Sequence, residues 1–88
     1  MAKYPRSELG YVASRFQERY GMTFPEIAEA ATEATGFEIK ESAFQAARRN
    51  DRGYSAHRKC LMDFMRARDP ALVESSRAAY AEQYGKEA

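Results

Sequence analysis

The 88-residue sequence contains no tryptophan, one cysteine, one histidine and three prolines. A lone Cys60 excludes an internal disulfide and points to a reducing compartment. A zinc site takes about four nitrogen or sulfur ligands. His57 and Cys60 fall short of that set, so no metal site and no cofactor are expected. Purely apolar stretches are a few residues long, as in Cys60-Leu61-Met62, whereas a membrane span needs roughly 18 or more. No basic segment followed by an apolar one opens the chain. The expectation is a cytoplasmic protein with no membrane partner. Alternating runs of Val, Ile and Thr, which would mark strands, are missing. The glycines are solitary, so there is no phosphate-cradling loop. The formal net charge is only +1, which as a total says nothing about a polyanionic partner.

What is present is a foldable composition of 44% hydrophobic, 31% charged and 12% aromatic residues. A disordered chain has fewer aromatics and more net charge. Residues 1–88 therefore read as a single helical domain, large enough to bury roughly 60–65% of its unfolded surface.

Glycines punctuate stretches of helical periodicity, as expected for left-handed C-caps at Gly21, Gly36, Gly53 and Gly85. A first helix is predicted over about 7–20, with Leu9, Val12, Ala13, Phe16 and Tyr20 as its apolar stripe. Ser7 is its candidate N-cap. Thr23 and Glu26 form a capping box opening a second helix that runs to about Thr35. Its face of Ile27, Ala28, Ala31 and Ala34 is narrow and suits close helix packing. A third helix is predicted over about 39–50, with Lys40 (by its stem), Ala43, Phe44 and Ala47 inward. A fourth covers about 56–68, capped by Ser55, with Leu61, Phe64 and Met65 inward. Asp69-Pro70 signals a new helix start, and a fifth helix runs to about Tyr84. Its apolar stripe is thin, which marks Leu72, Val73, Tyr80 and Tyr84 as a dimer or partner interface. The expected fold class is all-α, a compact bundle of about five short helices. Residues 7–68 form the body and 69–85 a C-terminal helix.

Charge is segregated along the chain. Residues 21–47 hold five glutamates against Lys40. Residues 48–68 hold Arg48, Arg49, Arg52, Arg58, Lys59, Arg66 and Arg68 against Asp51 and Asp63, a local excess of +5. Such a segment can serve as an anion-binding footprint. Residues 23–50 supply a capped helix, a glycine turn and a second helix with a polar outward side, the outline of a helix-turn-helix. The outward side displays Ser42, Gln45 and Arg49. Gln can pair with adenine and Arg with guanine in the major groove. Thr23, Arg48, Arg52, Arg58 and Lys59 are candidate phosphate contacts, which set register rather than sequence preference.

The run Phe16-Gln17-Glu18-Arg19-Tyr20-Gly21-Met22, followed by Thr23-Phe24-Pro25-Glu26-Ile27-Ala28-Glu29-Ala30, resembles the Cro-like (Xre-type) phage-repressor helix-turn-helix family. Ile27-Ala28-Glu29 matches that family's L-A-E-like triplet. The resemblance covers about residues 9–68 and implies that Phe44 and Ala47 anchor a recognition helix. It also implies that the fourth and fifth helices complete a five-helix body. The chain departs from the pattern in a late Gly36, a longer stretch to Phe44, and Glu38 and Glu41 at the start of the recognition helix.

The function expected is a small DNA-binding transcriptional regulator, a homodimer on double-stranded DNA. The alternative is a helical interaction module that binds a protein partner, as an inhibitor or antiactivator would. Its support is the near-zero net charge, the acidic first half, and tyrosines at 4, 11, 20, 54, 80 and 84. No enzyme is expected. His57 and Cys60 are three apart, but no third group or oxyanion site accompanies them. They read as a surface histidine and a buried cysteine.

Overall fold

Ser7 starts the fold. Its side-chain oxygen accepts from the Gly10 N–H at 2.9 Å, satisfying a donor that the first helical turn leaves free. The computed structural model describes residues 7–49 and 53–84, and within them there are five α-helices and no strand. They are α1 (Glu8–Tyr20), α2 (Phe24–Thr35), α3 (Glu41–Arg49), α4 (Ser55–Arg68) and α5 (Pro70–Tyr84). No helix among the described residues is long and apolar enough to cross a membrane.

The caps of α2 form as expected. The Glu26 N–H donates to Thr23 Oγ1 at 3.2 Å, and the Thr23 N–H donates to Glu26 Oε1 at 2.8 Å. Gly21 and Gly36 end α1 and α2 at φ 66° and 79°, where a Cβ would be strained. At α4 the expectation fails. Ser55 is the first helical residue and not the cap. The cap position belongs to Tyr54, which lies at φ 56° and makes no side-chain capping bond. A left-handed conformation costs a non-glycine residue about 1–2 kcal/mol.

Asp69 makes a corner. Its N–H donates to the Met65 carbonyl at 2.8 Å, closing α4. Its Oδ1 accepts from the Leu72 N–H at 3.1 Å, opening α5. α5 then folds back antiparallel to α1. Tyr20 meets Asp69 at one end, and Arg77 Nε bonds Glu8 Oε2 at 2.9 Å at the other.

The core draws on all five helices: Leu9, Val12, Ala13 and Phe16; Ile27, Ala28 and Ala31; Phe44 and Ala47; Leu61, Phe64 and Met65; Leu72 and Val73. Ile39, from the α2–α3 connection, joins them. Four expectations are corrected. Lys40 and Ala34 are exposed, and Ile39 takes the inward place given to Lys40. Leu72 (7% exposed) and Val73 (0%) are core residues, unavailable as an interface between chains. They are consumed because α5 packs against both α1 and α4. Tyr20 leaves the stripe: its ring packs on Phe16, but the residue is exposed and its hydroxyl is bound to Asp69.

Candidate nucleic-acid interface

The α2–α3 pair is held at its turn by Thr32, whose role helical periodicity does not show. Thr32 Oγ1 donates to the Ala28 carbonyl at 2.8 Å and accepts from the Ile39 N–H at 2.9 Å. With Ile39 buried, this sets where α3 begins. Threonine spacing from the turn was the only signal available, and it is a weak one.

Phe44 and Ala47 anchor α3 from beneath. Its C-terminal end is tied to the start of α1, where the Ser7 hydroxyl lies 2.7 Å from the Arg48 carbonyl and 3.2 Å from that of Ala47. A helix end leaves four carbonyls without partners, and a buried serine serves these two. The side opposite Phe44 carries Ser42 and Arg49, both exposed, and Gln45, half-buried. Those three residues are thus brought together on one short helix. Glu41 is exposed in its first turn.

The candidate phosphate contacts are more dispersed. Thr23 is exposed, with its oxygen engaged in the capping box. Arg48 is half-buried. Its guanidinium lies 4.2 Å from the centroid of the Phe24 ring, and Phe24 is edge-on to Phe44 at 5.5 Å. Arg48 Nη2 donates to Gln45 Oε1. Burial lowers the Arg48 guanidinium from its ordinary value, and the neighbouring Arg49 adds to this. An arginine stays charged at neutral pH nonetheless. Lys59 Nζ pairs with Asp63 at 3.0 Å on the surface, a contact of small energy that is easily exchanged. Arg58 is half-buried, and its Nη1 is enclosed without a hydrogen-bond partner among the described residues. Arg52 lies outside the described residues.

The cations fall into two sets. Arg19, Lys59, Arg66 and Arg77 reach carboxylates. Arg15, Lys40, Arg48, Arg49, Arg58 and Arg68 reach none among the described residues, and of these Arg48, Arg49 and Arg58 fall at the end of α3 and the start of α4.

A second feature was not expected. Phe37 and Tyr54, 38% and 45% exposed, flank the His57 ring edge-on at 4.9 and 5.4 Å. His57 is thus half-buried in an aromatic group rather than free on the surface. Cys60 is half-buried, with Sγ 3.0 Å from Thr35 Oγ1. Beside them Thr35, Ala56, Lys59 and Asp63 line a shallow groove of about 280 Å³. Among the described residues no three His, Cys, Asp or Glu side chains gather as a metal-ligand group. Comparison of the chain with protein-family models, curated proteins and solved structures finds no match.

Proposed function

We propose that the protein is a small duplex-DNA-binding regulator of the helix-turn-helix type, with α3 as the helix that enters the major groove. The observation that supports it best is the grouping of Arg48, Arg49 and Arg58, which have no acidic partner among the described residues, at the end of α3 and the start of α4. They border an α3 whose polar side, Ser42, Gln45 and Arg49, lies opposite its anchored face. The unneutralised guanidinium groups of Arg49 and Arg58 can take DNA oxygens without first breaking an ion pair. In this reading Arg49 reaches a base edge, and Arg58 with Lys59 holds the backbone. A Cro-like ancestry fits the same reading. One such unit makes few base contacts, so the proposed active form is a homodimer. With Leu72 and Val73 in the core, its contact is assigned to the half-buried Tyr80 and Tyr84.

The test is fluorescence anisotropy of a labelled mixed-sequence duplex at about 50 and 200 mM salt. Binding near 10⁻⁴–10⁻⁶ M that weakens steeply with salt supports the reading. Absence of binding at the lower salt overturns it. A second reading, a module that docks on a protein partner, is favoured by the exposed Phe37–His57–Tyr54 group and its groove. Aromatic residues are enriched at interface cores. Under that reading Phe37→Ala abolishes a partner complex, and duplex DNA is not bound.

A further inference from the structure

Gln45 and Arg48 form a unit within α3, and its polarity is fixed by chemistry. A guanidinium has five N–H donors and no acceptor. The Gln45 atom that faces Arg48 must therefore be its carbonyl oxygen, and Oε1 is the atom found there. The bond from Arg48 takes one of the oxygen's two lone pairs and sets a cation beside the other, where an approaching amino group is repelled, while the amide's other end, Nε2, only donates. Free glutamine, by contrast, offers an acceptor and a donor side by side, the pattern that matches adenine.

Arg48 is itself held. It stacks over Phe24 at 4.2 Å, and Phe24 packs edge-on against the buried Phe44. Stacking on an aromatic face restrains a guanidinium as well as attracting it. A cation bonded to the amide oxygen also polarises the amide and strengthens its N–H donors.

We infer that Arg48 is a positioning residue that biases Gln45 away from reading adenine and towards donating to guanine, through the acceptors N7 and O6. This rests on the duplex-DNA reading above. It assigns Arg48 a role distinct from a phosphate contact: it acts through Gln45 and not on the DNA itself. Guanine is the base whose major-groove edge carries two adjacent acceptors.

The experiment is selection of binding sites from a random-sequence duplex pool, with wild type, Arg48→Met and Arg48→Lys in parallel. Duplexes carrying each of the four base pairs at the assigned position are then titrated by anisotropy. Wild type is expected to prefer guanine, and replacing that base pair by A·T should weaken binding roughly 5- to 150-fold, the range a good base contact supplies. Arg48→Met keeps an apolar stem over Phe24 but cannot hold the amide, so the preference should move towards adenine. Arg48→Lys retains a donor and should restore guanine in part. A merely structural role for Arg48 would lower affinity without changing the preferred base. Denaturant melts of Gln45→Ala, Arg48→Met and the double variant check the contact in the free protein, with midpoint shifts that fall short of additivity. The same guanine preference in Arg48→Met as in wild type overturns the inference and leaves the duplex reading standing. Additive melts overturn it as well. Failure of every form to bind duplex overturns both.

Discussion

The Ser7 hydroxyl donates to the carbonyl oxygen of Arg48 at 2.7 Å, joining the first cap of the chain to the last turn of α3. The same oxygen accepts from the Gly10 N–H at 2.9 Å. One buried side chain thus serves two helix ends whose residues are 41 apart in sequence. Ser7→Ala removes the cap and leaves a carbonyl without its partner. It should destabilise the fold by about 1–3 kcal/mol, read as a lower urea midpoint with an unchanged slope.

Tyr20 and Asp69 give the fold a pH dependence at both extremes. The Tyr20 hydroxyl donates to Asp69 Oδ2 at 2.7 Å. That bond, with the Leu72 N–H, lowers the Asp69 carboxyl from its ordinary value. The same bond, with some desolvation, raises the Tyr20 phenol. A lowered acid contributes stability above its unfolded pKa, and this is lost as pH falls through the folded value. A raised phenol contributes stability below its unfolded pKa. That part is lost as pH climbs from the unfolded to the folded value. The stability gap between wild type and Tyr20→Phe should therefore be widest near neutral pH and close in acid and in strong base. Urea melts at three pH values measure it, and a gap that is constant with pH would contradict the assignment.

Ser76 is fully buried, and its Oγ has no hydrogen-bond partner among the described residues. An enclosed hydroxyl without a partner is destabilising, and alanine is also the better helix former. Ser76→Ala should stabilise the protein by about 1 kcal/mol. Thermal melts should show a rise of several degrees for a domain of this size.

Leu72 lies in the core, apart from the proposed dimer contact. Leu72→Ala should cost about 2–5 kcal/mol in the monomer's stability while leaving the molar mass in solution unchanged at a fixed concentration. If the proposed homodimer forms through Tyr80 and Tyr84, Tyr84→Ala should do the reverse, with little effect on stability and a shift towards the monomer. Light scattering and urea melts on both variants decide between the two roles.

On duplex DNA, Arg49→Ala should cost about 1–3 kcal/mol and relax preference at one base pair. Arg58→Ala should weaken binding to all sequences alike and reduce the salt slope by about one. Equal loss on every sequence for Arg49→Ala would place that residue on the backbone instead.

Local chemistry alone determined much of this protein. The Thr23–Glu26 capping box, the glycine stops at Gly21 and Gly36, the Asp69-Pro70 start and the stripes of α1 and α4 are short-range devices. Each needs only neighbours within about one helical turn, so each was legible in the chain. The grouping of Ser42, Gln45 and Arg49 on one side of α3 follows from the same periodicity. Contacts between distant residues were not legible. Nothing in the thin stripe of α5 says that Leu72 and Val73 are buried, because that depends on α1 and α4 lying on either side. The inward turn of Ile39 depends on Thr32 reaching across the connection to its N–H. Likewise Arg48 reads as a free cation in sequence. Only the approach of α2 puts the Phe24 ring beneath it, whereas its bond to Gln45, three residues earlier, lies within one helical turn. Periodicity orders side chains around one helix axis. Which of them meet across the molecule is decided by the packing of the helices against one another.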